Sequence, residues 1–164
     1  MKYKVLCLLV ALCALVACTK TGDPGKSKGN NVVVTLQENG IIFKQKGSLE
    51  DYVGNGKYTL LFFWASWCFH CEQAAPNVEA AYVNYRDKGL EVVGISEDSD
   101  TDAAVKAIQD LELHFPQILD PSRELGKKYD ILGYPQILLI APDGSIVQNN
   151  IGSTNLDSTL QKVL

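Results

Sequence analysis

Residues 58–76 read YTLLFFWASWCFHCEQAAP, and this stretch decides the architecture of the chain. Tyr58–Trp64 is a continuous apolar run, which is typical of a strand buried on both faces of a sheet. Two cysteines separated by two residues follow, and a helical pattern then extends from about Cys68 to Lys88, with Pro76 inside it. The order of strand, cysteine pair and helix predicts that Cys68 lies in the first turn of a helix.

The rest of the chain alternates between strand and helix patterns. Further strands are predicted at Val32–Leu36, Ile41–Phe43, Leu90–Ser96, Gln136–Ile140 and Ser145–Asn150, the last two as a hairpin. Helices are predicted from Ser48, from Asp100 or Thr101 to Leu111, from Asp120 to Tyr129, and from Thr154 or Asn155 to Leu164. This alternation indicates one α/β domain, residues 32–164, in which a central mixed β-sheet carries helices on both faces.

The first 17 residues have the pattern of a signal peptide. A short basic start is followed by Val5–Val16, whose twelve residues are all apolar if its two cysteines count as small hydrophobes. This run is too short to cross a bilayer comfortably but suits a signal peptide. It ends in Leu15-Val16-Ala17-Cys18, which resembles the lipobox of bacterial lipoproteins, so Cys18 is predicted to carry lipid. An ordinary signal peptide with an incidental cysteine and an uncleaved anchor are the alternatives.

Residues 18–31 are predicted to form the lipidated cysteine and a flexible tether, because Thr19–Asn31 is polar and rich in turn-forming residues. Loss of residues 1–17 would leave 13 basic and 19 acidic residues, a formal net charge of −6. A negative domain argues against nucleic acid as a partner. We therefore expect a protein anchored by lipid to a bacterial membrane, with its domain in the periplasm or elsewhere outside the cytoplasm.

The cysteine count leaves one reactive pair. Of the five cysteines, Cys7 and Cys13 leave with the signal peptide and Cys18 carries lipid, so Cys68 and Cys71 remain. Thiol–disulfide exchange needs a thiolate, and the unpaired N–H groups of a first helical turn favour the anion on Cys68. Cys71 follows one turn later, within disulfide reach. The pattern predicts an oxidoreductase with Cys68 as the nucleophile and Cys71 as the resolving thiol.

A C-x-x-C pair also occurs in structural zinc sites, which need two further ligands. After Cys18 the sequence offers only His70, inside the motif, and a distant His114, with no second C-x-x-C pair. A permanently closed structural disulfide is the other alternative, although so short a loop is rarely used for that purpose. We therefore expect no metal and no cofactor.

The segment Trp64–Cys71, WASWCFHC, followed by Pro76, resembles the active-site segment of thioredoxin. Between about Ile41 and Leu164 the chain is similar to the TlpA/ResA type of membrane-tethered, thioredoxin-like reductase. The segments that carry this similarity are VVGIS at 92–96, FP at 115–116, DP at 120–121, GYPQ at 133–136 and APDG at 141–144. The resemblance implies a thioredoxin-like three-layer fold, thiol or disulfide client proteins in the cell envelope, and an upstream membrane electron donor. We expect a monomer.

The same resemblance implies roles for other residues. Pro135 matches a cis-proline that lies against the dithiol, which would leave the backbone of Tyr134 open to pair with an extended client peptide. Trp67 is expected on the substrate-facing surface, whereas Trp64 is expected in the core. The alternatives are a trans-proline that opens the strand and simple packing for Trp67.

Two acidic residues of the related proteins are missing. Phe62 occupies the position of the buried aspartate of thioredoxin, and Ala74 occupies that of the glutamate of ResA-type reductases. Glu72 is expected to be a solvated charge at the start of the helix. Glu97, just after a strand end, is a weaker candidate for proton transfer, and water is the remaining one.

His70 bears on the direction of the reaction. More oxidising relatives carry histidine where thioredoxin carries proline, and a cationic imidazole near Cys68 would stabilise the thiolate and raise the reduction potential. A reductase is the leading hypothesis, and an oxidase or isomerase of the same fold is the alternative. A solvent-facing histidine without effect is the simpler reading of His70.

Two other classes of function fit the sequence less well. A peroxidase of the peroxiredoxin type needs P-x-x-x-T-x-x-C, but Leu61 and Ala65 stand at the proline and threonine positions. A non-enzymatic copper-handling module would use C-x-x-x-C with a distant histidine, and the spacing here is different.

Overall fold

The computed structural model describes residues 31–40 and 42–164. The predicted signal peptide, the predicted lipidation site Cys18, almost all of the predicted tether and Ile41 lie outside the described residues. No helix among the described residues is both long enough and apolar enough to cross a bilayer.

The described residues contain a single mixed sheet of seven strands. These are β1 (Asn31–Leu36), β2 (Ile42–Gly47), β3 (Tyr58–Trp64), β4 (Leu90–Ser96), β5 (Gln117–Leu119), β6 (Gln136–Ile140) and β7 (Ile146–Gln148). Their order across the sheet is β2-β1-β5-β4-β3-β6-β7. Strand β3 pairs in parallel with β4 and antiparallel with β6. This central place explains the unbroken apolar sequence of β3, because neither face of the strand meets water.

Four α-helices connect and flank the strands. They are α1 (Phe69–Tyr85), α2 (Thr101–Asp110), α3 (Glu124–Lys128) and α4 (Leu156–Leu160), with single 3-10 turns at Leu49–Asp51, Arg86–Lys88 and Ser153–Asn155. Asp100 caps α2, since its carboxylate accepts hydrogen bonds from the backbone N–H groups of Asp102 and Ala103. The predicted helix after the cysteine pair is confirmed as α1, which includes Pro76.

Alternate residues of β3 enter two separate apolar cores. Leu60, Phe62 and Trp64 pack in a cluster with buried residues of α1, α2 and α4. Leu61 and Phe63 belong to a second cluster, which includes Leu125 of α3 and Leu49 of the first 3-10 turn. Helices therefore cover both faces of the sheet, and the predicted α/β class with a mixed central sheet is confirmed.

Strand β5 is absent from the sequence prediction. It has three residues, begins with the buried polar Gln117 and follows Pro116, so it lacks the apolar run that identified the other strands. It nevertheless pairs with β1 and β4 and so joins the outer hairpin β1–β2 to the centre of the sheet.

The predicted start of a helix at Asp120 was wrong. The Asp120 carboxylate accepts hydrogen bonds from the backbone N–H groups of Glu124, Leu125 and Gly126 at 3.0, 2.8 and 3.3 Å, so this residue precedes α3 and caps it.

Other elements also differ from the prediction. The helix predicted from Ser48 is a single 3-10 turn, Leu49–Asp51, and the helix predicted up to Lys88 ends at Tyr85 and is followed by a 3-10 turn. Strand β2 extends beyond Phe43 to Gly47, because the edge of a sheet tolerates exposed polar residues such as Lys44 and Lys46. Strand β7 and helix α4 are shorter than predicted, and turns close both segments.

Candidate active site

The cysteine pair lies where β3 passes into α1. After Trp64, the residues 65–67 form a turn in which the Cys68 N–H donates to the Ala65 carbonyl at 3.1 Å. Cys68 is the N-cap of α1, and its Sγ accepts a hydrogen bond from the backbone N–H of Cys71 at 3.2 Å. A donor from the first helical turn thus points at this sulfur, which favours its anionic form.

The two cysteines are joined as a disulfide, but their surroundings differ. Their Cα atoms lie 5.2 Å apart. Cys68 is half-buried, whereas Cys71 is only 1% exposed and packs in the core with Ala74 and Ala75. Solvent therefore reaches Cys68 and hardly reaches Cys71.

A buried aspartate holds the turn in front of the cysteines. Asp98 Oδ2 accepts from the Ser66 N–H at 2.9 Å, and Asp98 Oδ1 accepts from the Ser66 hydroxyl at 2.7 Å. The Ser96 hydroxyl donates to Asp98 Oδ2 at 2.7 Å. Asp98 is 3% exposed, so these bonds are shielded from water. Sequence reasoning missed this residue because its partner Ser66 lies 32 positions earlier in the chain.

The tryptophans occupy different environments. Trp64 is fully buried, and its indole N–H donates to Gln117 Oε1 at 2.9 Å. Trp67, adjacent to Cys68, is 70% exposed and meets the ring of Tyr134 edge-on, with 5.7 Å between ring centroids. The Tyr134–Pro135 peptide bond is cis, as expected. The structure thus brings the 134–135 loop beside Trp67, the residue that precedes Cys68.

Glu97 is buried and contacts the hydroxyl of Tyr134. Its side chain is fully buried, and Oε2 accepts hydrogen bonds from Arg123 Nε at 2.8 Å and from the Tyr134 hydroxyl. Burial, together with the acceptor on Glu97, raises the pKa of Tyr134 to about 12, so the phenol keeps its proton. Arg123 was not among the predicted site residues, because nothing in its local sequence signals a partner 26 positions away.

The positions of the missing acids contain apolar side chains in the core, since Phe62 and Ala74 are 0% and 3% exposed. Glu72 and His70 are exposed in the first turn of α1. His114 is paired with Glu79, whose Oε1 lies 3.1 Å from Nδ1. Within the part of the chain that the structure describes, no group of three or more His, Cys, Asp or Glu side chains is arranged to hold a metal ion.

Known proteins share this sequence pattern. The model of the AhpC/TSA family matches residues 33–149. The thiol–disulfide oxidoreductase ResA of Bacillus thuringiensis subsp. konkukian (strain 97-27) is 33% identical over 143 residues, which cover 85% of this chain and 78% of the relative. The ResA of Bacillus subtilis (strain 168) is 28% identical over 147 residues, with coverages of 86% and 79%.

Solved structures share the fold. A thiol–disulfide oxidoreductase from Bacteroides fragilis NCTC 9343 superposes with a TM-score of 0.63 at 30% identity and covers 84% of this chain and 100% of its own. The thioredoxin domain of a thiol–disulfide oxidoreductase from Bacteroides vulgatus gives 0.64 at 27% identity, with coverages of 84% and 97%. The predicted resemblance is thereby confirmed, and the chain belongs to the AhpC/TSA family and, within it, to the thioredoxin-like thiol–disulfide oxidoreductases of the ResA type.

Proposed function

We propose that Cys68 and Cys71 form the catalytic dithiol and that its main reaction is the reduction of disulfides in client proteins. The observation that carries this proposal is the difference in exposure between the two sulfurs at the start of α1. The half-buried Cys68 is accessible to a client, while Cys71 is 1% exposed and is accessible only to Cys68. This is the arrangement that a nucleophile and a resolving thiol require.

The reaction proceeds in two exchanges. The Cys68 thiolate attacks one sulfur of the client disulfide; the client S–S bond breaks, and the other client sulfur leaves as a thiolate that takes up a proton. Cys71 then loses its proton and attacks Cys68 in the mixed disulfide, which releases the second client thiol and leaves the Cys68–Cys71 disulfide. The client gains two electrons from the dithiol and two protons; one proton comes from Cys71 and the other comes from solvent, because Cys68 reacts as the thiolate.

Among the described residues, Cys71 packs with the apolar Ala74 and Ala75, and Glu97 is engaged by Arg123 and Tyr134, so we assign no carboxylate to the role of the missing acids. Water is therefore proposed as the proton carrier between Cys71 and bulk solvent. The half-exposed turn around Cys68 supports this route.

The surface formed by Trp67, Tyr134 and Pro135 is proposed to bind the client polypeptide. The exposed indole of Trp67 and the ring of Tyr134 meet edge-on beside the dithiol, which supports this role. An extended segment of the client would pair with the backbone before Pro135 while its cysteine approaches Cys68.

The proposal for the cellular location of the protein rests on the sequence of residues 1–18, which lie outside the described part of the chain. We propose that residues 1–17 are removed, that Cys18 carries lipid, and that the domain works on the extracytoplasmic side as a monomer that receives electrons from a membrane donor. Labelling of the chain with radioactive palmitate would support the anchor if Cys18→Ala lost both the label and membrane association. Undiminished labelling of that variant contradicts it.

The dithiol is tested by insulin reduction with dithiothreitol as the electron source. The wild-type domain should accelerate the precipitation of reduced insulin chains, and Cys68→Ser should abolish this acceleration. Cys71→Ser should instead accumulate a mixed disulfide between Cys68 and insulin, visible on a non-reducing gel. A mixed disulfide that forms on Cys71 in Cys68→Ser, and not in Cys71→Ser, would contradict the assigned roles.

A further inference from the structure

Glu97 is a buried carboxylate that the thiol exchange does not use. Its backbone N–H donates to the Trp64 carbonyl at 3.0 Å, so it follows β4 at the same edge of the sheet as the turn to the dithiol. Its side chain has no exposed surface. A buried charge of this kind is costly unless it is paired, so its partners indicate what it holds in place.

The partners of Glu97 connect it to the proposed client-binding surface. Arg123 Nε and the Tyr134 hydroxyl both donate to Oε2 of Glu97. The Arg123 guanidinium also lies over the Tyr134 ring, with its Cζ 5.7 Å from the ring centroid. Tyr134 is thereby held at its hydroxyl and on its ring face, and its ring meets Trp67 edge-on.

Helix α3 fits closely against the same carboxylate. A Cβ atom on Gly126 would lie 1.8 Å from Glu97 Oε1, so any side chain at this position would clash with the carboxylate. Glu97 Oε1 has no hydrogen-bond partner among the described residues. The carboxylate is thus placed by Arg123, Tyr134 and the shape of α3 together, and it cannot shift without moving Tyr134.

We propose that Glu97 is a positioning residue that, with Arg123, fixes the Tyr134 ring against Trp67 and so preforms the surface on which a client polypeptide binds. This inference rests on the proposed client-binding role of Trp67 and Tyr134. Glu97 acts through Tyr134, because its side-chain hydrogen bonds are to Tyr134 and Arg123. It therefore affects the binding of polypeptide substrates and leaves the reactivity of Cys68 towards a small disulfide unchanged.

The test compares Glu97→Gln, Tyr134→Phe and Gly126→Ala with the matched pair Tyr85→Phe and Asp157→Asn. In the control pair, the Tyr85 hydroxyl donates to Asp157 Oδ1 at 2.6 Å, which links α1 to α4. The Gly126→Ala change displaces the carboxylate without altering its chemistry, so it is independent of the other two.

Two substrates separate positioning from general damage. For insulin, each of the three variants should raise KM about fivefold with little change in kcat, which corresponds to the loss of one hydrogen bond. For the small disulfide 5,5′-dithiobis(2-nitrobenzoate), the rate constants of reduced Glu97→Gln and Gly126→Ala should stay within about twofold of the wild type. The control variants should match the wild type with both substrates.

Two further measurements ask whether Glu97 acts through Tyr134. The double variant Glu97→Gln/Tyr134→Phe should lose no more than the stronger single variant, because removal of the Glu97 charge and removal of the Tyr134 hydroxyl weaken the same contact. The long-wavelength tryptophan band in the near-ultraviolet circular dichroism should weaken in Glu97→Gln and in Tyr134→Phe, as we expect it to weaken in Trp67→Phe, and Tyr85→Phe should leave it intact.

Additive losses, an equal loss with the small disulfide, or an unchanged tryptophan band in Glu97→Gln and Tyr134→Phe would overturn the positioning role. If one of the three variants does not fold, the other two decide the test. If the wild type reacts with the small disulfide but not with insulin, the proposed reductase function fails, while the circular dichroism still decides whether Glu97 holds Tyr134 against Trp67.

Discussion

His70 is exposed in the first turn of α1, two residues after Cys68, with its ring 5.8 Å from that of Phe69. A cationic imidazole at this point favours the Cys68 thiolate and so favours the reduced enzyme. His70→Pro should therefore lower the reduction potential of the pair by about 30 mV, which corresponds to about 1.4 kcal/mol. Equilibration in a series of glutathione redox buffers, with trapping of free thiols by alkylation, measures this shift.

The control for this substitution is His114→Gln. His114 is paired with Glu79, so its loss should leave the reduction potential of the cysteine pair unchanged. A constant potential in His70→Pro would show that the imidazole simply faces solvent, and a higher potential would contradict the stabilisation of the thiolate by His70.

Residues with a local sequence signal were the ones that sequence reasoning found. The cysteine pair follows from its spacing, and Trp64 follows from its place in the apolar run. Glu97 was a weak candidate for proton transfer, but its contacts with Arg123 and Tyr134 join positions 26 and 37 residues apart. Such contacts depend on how β4, α3 and the loop before β6 pack together. The periodicity of apolar residues along the chain does not predict that packing.

At the scale of elements, the turn from β3 to α1 is tied to the end of β4 by Asp98. The two carboxylate oxygens of Asp98 accept hydrogen bonds from the Ser66 N–H and from the hydroxyls of Ser66 and Ser96. Asp98→Asn replaces one of these oxygens by an NH2 group, which cannot accept. Since these groups are shielded from water, the free energy of unfolding should fall by about 2 kcal/mol. The rate of reaction of Cys68 with 5,5′-dithiobis(2-nitrobenzoate) should fall as well, because the turn positions the sulfur. Urea denaturation and stopped-flow absorbance provide the two readouts.

Asp143→Asn is the matched control for this change. Asp143 also accepts from the N–H and hydroxyl of a serine, Ser145, at 2.9 and 2.7 Å, but in an exposed turn. Its substitution should change the free energy of unfolding by less than about 0.5 kcal/mol. Equal destabilisation by the two variants would mean that burial of Asp98 adds nothing.

The sequence predicted best those strands and helices that have a clear local pattern of apolar residues. Strands β3, β4 and β6 are apolar runs and lie where they were expected. Strand β5 is fixed by its neighbours β1 and β4 rather than by its three residues. Helix α3 begins later than expected because the Asp120 side chain competes with the backbone for the first N–H groups, a choice that residue propensity alone does not decide.

At the scale of the whole molecule, the dithiol is coupled to global stability. Cys71 packs in the core with Ala74, Ala75 and Val78, so the folded environment acts differently on the disulfide and on the two thiols. Folding and oxidation form a closed thermodynamic cycle. The difference in free energy of unfolding between the oxidised and reduced protein therefore equals the difference in redox free energy of the pair between the folded and unfolded chain.

This cycle separates the reductase from an oxidase or isomerase without knowledge of the client. A reductase has a lower potential when folded than when unfolded, so its oxidised form is the more stable one; an oxidant of the same fold has the opposite order. We expect the oxidised protein to unfold at the higher urea concentration and His70→Pro to widen the gap, by about 1.4 kcal/mol for each 30 mV. The double variant Cys68→Ser/Cys71→Ser should unfold at the same urea concentration with and without reductant. Greater stability of the reduced wild type would reverse the proposed direction, because a folded environment that favours the thiols drives the pair to accept electrons from its clients.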